Sequence, residues 1–110
     1  MHGLVSFQGG LSLANRQLIV DFAAAHRLPA VYQSLFFVES GGLMAWAPDQ
    51  RDQYRMGARL ADQILKGKKP GDIPVQHPGP YQLHLNKRAA EAMNLVLPAD
   101  LVAEADKVLS

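Results

Sequence analysis

The chain has 110 residues, 48% of them apolar, and 11 Lys and Arg against 10 Asp and Glu give a net charge of +1. That length allows one domain with a single core, and the apolar fraction is that of a folded chain rather than a disordered one. Near-neutral charge argues against a nucleic-acid partner, because no basic cluster is larger than Lys66-Gly67-Lys68-Lys69, and the lack of cysteine excludes disulfides and thiolate metal sites.

No apolar run approaches the about 20 residues that a membrane span requires. Met1–Ser6 shows no basic region followed by a hydrophobic one, so no signal peptide is visible.

Gly3–Phe7 is a short apolar run ended by Gln8-Gly9-Gly10, the pattern of a buried strand and a loop. Ser12 is placed to cap a helix, and Leu18, Ile19, Phe22, Ala23 and Ala25 recur at helical spacing, which predicts a helix from about Leu13 to His26. Arg27-Leu28-Pro29 ends it, because the residue before proline is biased away from helix. Ala30–Gln33 is the next strand. Strand, helix, strand in that order predicts two parallel strands with a right-handed crossover. Leu35–Val38 reads as a half-turn of helix or a loop, Gly41-Gly42 breaks it, and Leu43–Ala47 is a third strand.

Asp49 is an N-cap for the longest helix, with Asp52 suited to the positive end of the helix dipole and Gly67 to the left-handed position past its end. Tyr54, Ala58, Ala61 and Leu65 form one stripe, with Gly57, Leu60 and Ile64 beside it, which predicts a broad buried face. Lys68–Pro80, rich in proline, is an extended connection in which Ile73–Gln76 is a candidate sheet-edge segment. Tyr81–Asn86 alternates apolar and polar and reads as a half-buried strand with His84 on its wet face. Asn86 then caps a short helix through Ala89, Ala90 and Met93 that Asn94 can close. After Pro98, Leu101, Val102, Ala105, Val108 and Leu109 make a final helical stripe.

The histidines His2, His26, His77 and His84 show no metal-ligand spacing. Ser40 precedes Gly41 but lacks a nucleophile elbow. Glu39 has the chemistry of a general base, and a solvated or capping carboxylate is the simpler reading. No catalytic residue, cofactor or metal site is assigned. If the first three strands are parallel, Phe7, Gln33 and Trp46 lie near their carboxyl edge, where open α/β sheets hold ligands. The same aromatics could equally cover a sheet edge or a subunit contact.

The run from Asn15-Arg16-Gln17-Leu18-Ile19-Val20 through His26-Arg27-Leu28-Pro29-Ala30-Val31-Tyr32, Phe37-Val38-Glu39-Ser40-Gly41-Gly42-Leu43-Met44-Ala45-Trp46-Ala47-Pro48 and Tyr54-Arg55 to Ile64–Val75 resembles the C-terminal part of ABC-transporter substrate-binding proteins. Tyr81–Asn86, Lys87–Leu95 and Pro98 continue the likeness, which is greatest to the subgroup with tryptophan- and phenylalanine-binding members. The resemblance implies an α/β chain, part of a type I periplasmic-binding-protein fold, with parallel strands flanked by helices and a hinge crossover near Trp46–Asp49. Residues 1–47 would belong to the second lobe, 48–67 would form the hinge and a long helix packed on the first lobe, and 68–110 the return strand and C-terminal helices.

It implies, further, a non-catalytic, extracytoplasmic protein that captures a small solute, aromatic or amino-acid-like, for an ABC permease. Phe7, Gln8, Gln33, Ser34, Ser40, Gly41, Gly42 and Trp46 would face that solute. Where many members carry an acid after the first strand, this chain has Phe7-Gln8-Gly9, which removes a partner for a ligand ammonium. On this reading the chain is a partial solute-binding protein that forms homo-oligomers. The alternative is a stand-alone α/β dimerisation module without a small ligand.

Overall fold

A computed structural model describes residues 2–110. Five strands form one sheet whose spatial order is the chain order: β1 (Leu4–Ser6), β2 (Ala30–Tyr32), β3 (Met44–Pro48), β4 (Tyr81–Asn86) and β5 (Lys107–Leu109). The pairs β1–β2, β2–β3 and β4–β5 are parallel, and β3–β4 is antiparallel. Between the strands run α1 (Gly10–Ala14), α2 (Arg16–Ala25), α3 (Leu35–Glu39), α4 (Gln50–Leu65), α5 (Lys87–Ala92) and α6 (Ala99–Glu104). The chain is thus α/β, with the parallel strands flanked by helices.

The main core joins Val20 and Ala23 of α2, Leu35, Phe37 and Val38 of α3, and Ala30, Tyr32, Ala45 and Ala47 of the sheet. Alternate residues of a strand face opposite sides, so Met44 points away from Ala45 and packs with a second cluster of Leu43, Ala90 and Met93. Helices therefore cover both faces, as parallel sheets require. Trp46 shares the Met44 face but lies beyond the second cluster and is half exposed.

Four helices end in the same hydrogen-bonded motif. Past α2, α3, α4 and α5, the residues Arg27, Gly41, Gly67 and Asn94 take positive φ. In each case the next residue's N–H reaches a carbonyl one turn deeper: Leu28 to Ala23, Gly42 to Phe37, Lys68 to Gln63 and Leu95 to Ala90. This is the Schellman closure, which satisfies the orphan carbonyls of a helix end. At the other ends, Asp49 accepts the Arg51 N–H at 2.9 Å and Asn86 accepts the Ala89 N–H at 3.1 Å.

Several expectations require correction. The first helix begins at Gly10, is interrupted at Asn15, and is not capped by Ser12, whose hydroxyl instead donates to the carbonyls of Phe7 and Gly9. Ile73–Gln76 joins no strand, and only a 3-10 turn at Pro70–Asp72 is regular in that connection. The last helical stripe stops at Glu104. Asp106 then clamps Leu83, its N–H bonding the Leu83 carbonyl at 2.9 Å and its carboxylate accepting the Leu83 N–H at 2.8 Å. Val108 and Leu109 continue along β4 as a strand, because an open sheet edge offers ladder bonds that a short free helix cannot match.

Helix α4 forms as expected, yet it buries no residue: Tyr54 is 78% and Leu65 86% exposed. Its 16 residues extend about 24 Å. The radius of gyration is 17.1 Å, against about 13 Å for a compact domain of this size. The molecule measures 56 × 31 × 21 Å. The apolar stripe has no partner among the described residues.

Candidate functional site

Because β1, β2 and β3 run the same way, the residues that follow them converge on one edge of the sheet. There a groove of about 260 Å³ is lined by Gln8 after β1, Gln33 after β2, Trp46 near the end of β3, Gln53 in the first turns of α4, and Tyr81 at the start of β4. Pro78 closes its rim. Tyr81 lies directly across the ladder from Pro48, and its ring meets Trp46 edge-on at 5.7 Å and 76°. The Gln8 N–H donates to Gln33 Oε1 at 3.4 Å, which ties the β1 and β2 exits together. None of the lining residues carries a charge.

Ser34 sits behind this wall, fully buried. Its hydroxyl oxygen accepts the Phe36 N–H, capping α3, and it donates to Gln50 Oε1 at 3.2 Å. One side chain thus fixes the starts of α3 and α4 side by side. Phe7 is 70% exposed and is not among the residues lining the groove.

Ser40, Gly41 and Gly42 lie between α3 and the start of β3, at the opposite end of the sheet. Ser40 Oγ accepts from Arg16 Nε at 3.0 Å, and the two glycines make the end of α3. Ser40 and Gly41 border a separate groove with Glu39, Asn86 and Arg88. The structure therefore brings together Gln8, Gln33 and Trp46, and it places Ser40–Gly42 away from them. Gln53, Pro78 and Tyr81 were not singled out in the sequence. An antiparallel return of β4 would have put Tyr81 beside Pro48, but strand direction is not written in an alternating pattern.

Glu39 is engaged in an ion pair with Arg51 at 2.8 Å, and the guanidinium lies over the Phe36 ring at 5.5 Å. Hydrogen bonding and charge from Glu39 raise the Arg51 pKa further. Among the described residues no group of three or more His, Cys, Asp or Glu is placed to hold a metal ion. His26, near the end of α2, has Nδ1 at 2.9 Å from the Phe22 carbonyl.

His84 is not on a wet face. It is 8% exposed, because its register partner is the core residue Ala45 and α3 covers that side of β3 and β4. Its Nε2 lies 2.9 Å from Gln82 Oε1. Burial, and then the charge of Lys107, push its pKa below the ordinary value. The unfolded chain therefore binds a proton at a pH where the folded chain does not, so stability should fall as pH drops through and below about 6.5. Urea midpoints at pH 7.5 and 5.5 are expected to differ more in the wild type than in His84→Gln. An equal difference in both would remove His84 as the cause.

The family model for ABC transporter substrate binding proteins matches residues 11–109. No curated protein matches the chain. A conserved domain protein of Vibrio cholerae O1 biovar El Tor superposes with a TM-score of 0.88 at 23% identity, over 96% of this chain and 36% of that one. An ABC domain from Streptococcus pneumoniae in complex with L-Trp gives 0.84 at 24% identity with the same coverage. The ligand-free, open form of a substrate-binding protein with adhesive properties from Clostridium difficile gives 0.62 at 17% over 97% of this chain and 36% of that one. At such identities the likeness establishes the fold, and the chain spans about a third of the length of these structures. A match to the family model over nearly the whole chain shows more: this chain belongs to the ABC transporter substrate-binding protein family.

Proposed function

We propose that this chain supplies one wall of a solute site in a non-catalytic binding protein that delivers a small molecule to an ABC permease outside the cytoplasm. The observation that carries the reading is the groove at the carboxyl edge of the parallel strands, where Gln8, Gln33 and Trp46 meet Tyr81. Ligands of open α/β sheets bind at such edges, and a few polar groups among aromatic rings suit a small solute. Family membership and the bound L-Trp of the pneumococcal structure support a small-molecule cargo with an aromatic ring.

On this reading residues 1–47 belong to one lobe, and Pro48–Asp49 turn the chain out of that lobe. Residues 48–67 carry α4 to a second body that covers its Tyr54–Leu65 stripe, and residues 68–110 return to the sheet. The exposed stripe and the elongated shape support such a division.

Titration of the 15N-labelled chain with neutral and charged one-ring solutes tests the site. Saturable shifts are expected at Gln8, Gln33, Trp46 and Tyr81. Shifts that cluster elsewhere, or none with any solute, would overturn the reading.

A further inference from the structure

We infer that the groove takes a neutral, planar, one-ring solute bearing an amide or lactam edge, in preference to a charged amino acid; the inference rests on the reading of the groove as a solute site. Three carboxamides reach it from three separate elements: Gln8 after β1, Gln33 after β2 and Gln53 on α4. A carboxamide presents a donor and an acceptor side by side, which complements another amide edge and complements a carboxylate or an ammonium only in part. The Gln33 oxygen already accepts the Gln8 N–H, so Gln33 has its NH2 to offer.

The nearby charges are committed elsewhere. Asp49 accepts the Arg51 N–H at 2.9 Å, and its carboxylate lies 3.9 Å from the Arg51 guanidinium. Arg51 itself holds Glu39, and Arg55 holds Asp52 at 2.7 Å. A charged ligand on this wall would lose hydration without meeting a counter-charge, which is unfavourable.

The aromatic corner sets the shape. Trp46 and Tyr81 stand nearly perpendicular, so a flat ring can stack on one while its edge meets the other. A single ring is the unit this corner can hold between the two aromatic side chains.

Nicotinamide and nicotinate share a ring and differ in carboxamide against carboxylate, so together with L-phenylalanine they separate charge from shape. In spectra of the 15N-labelled chain, nicotinamide is expected to give saturable shifts of the Trp46 indole N–H and of the Gln8, Gln33 and Gln53 side-chain NH2 groups. Nicotinate and L-phenylalanine should bind at least about tenfold more weakly, a factor worth about 1.4 kcal/mol. If either charged probe moves the same resonances at equal or lower concentration, the ligand class is overturned while the groove remains a solute site. If no probe moves them, the inference and the site reading fall together.

Discussion

Phe37→Ala is expected to lower folding stability by about 3–5 kcal/mol, the range for truncating a buried phenylalanine. Phe37 is 1% exposed, and its ring stacks on the equally buried Tyr32 at 4.6 Å and 11°. It lies in the main core where α3 meets the sheet, so truncation would leave a cavity in close-packed surroundings. Whole domains hold only about 5–15 kcal/mol, so this one change would remove a large share. Urea unfolding followed by circular dichroism should show a much lower midpoint at an unchanged slope. A midpoint close to that of the wild type would mean that the core is not organised around this stack.

The second large effect comes from adding an atom. A Cβ on Gly42 would lie 2.8 Å from the Phe37 carbonyl oxygen and 2.8 Å from Tyr32 Cε2. Neither neighbour can move away freely. The carbonyl is held by the Gly42 N–H itself at 2.8 Å, and the tyrosine ring is packed in the core. Gly42→Ala should therefore cost about 1–3 kcal/mol or more through overpacking.

The neighbouring Gly41→Ala gives the contrast. Its Cβ would meet Val20 at an ordinary 3.5 Å, but φ is +105°, so its penalty is conformational, on the order of 1–2 kcal/mol. Repacking separates the two. Replacing the ring beneath Gly42 with a smaller side chain, as in Tyr32→Leu, should relieve part of the Gly42→Ala cost and leave that of Gly41→Ala unchanged. Strict additivity in both double mutants would sink the steric account.

What could be read from the sequence was what local chemistry decides. Asp49, Gly67, Asn86 and Asn94 act at helix ends through their own backbone or nearest neighbours, and all four occupy the predicted positions. The first three strands were visible as short apolar runs, although the strand bounds shifted by a residue or two.

The rest depends on contacts distant in sequence. His84 alternates like a solvated residue, but α3 lies over it. Val108 and Leu109 fit a helical period as well as a strand, and only the open edge of β4 decides between them. The stripe on α4 has the spacing of a buried face, yet burial needs a partner, which spacing does not supply. In the groove, Gln33 and Trp46 followed from parallel strand exits and Gln8 from the family resemblance, whereas Phe7, expected beside them, does not line it. Gln53 and Tyr81 needed the start of α4 and the antiparallel return of β4 to be placed in space.

The strand order also bears on how the sheet can be made. Each strand pairs with its immediate predecessor, and none is inserted between two that came before. During synthesis the sheet can therefore grow outward from β1 by successive edge addition, without reopening pairs already formed. The outermost strands, β1 and β5, have three residues each. Among the described residues each edge of the sheet is therefore short and gives another chain little ladder to pair with.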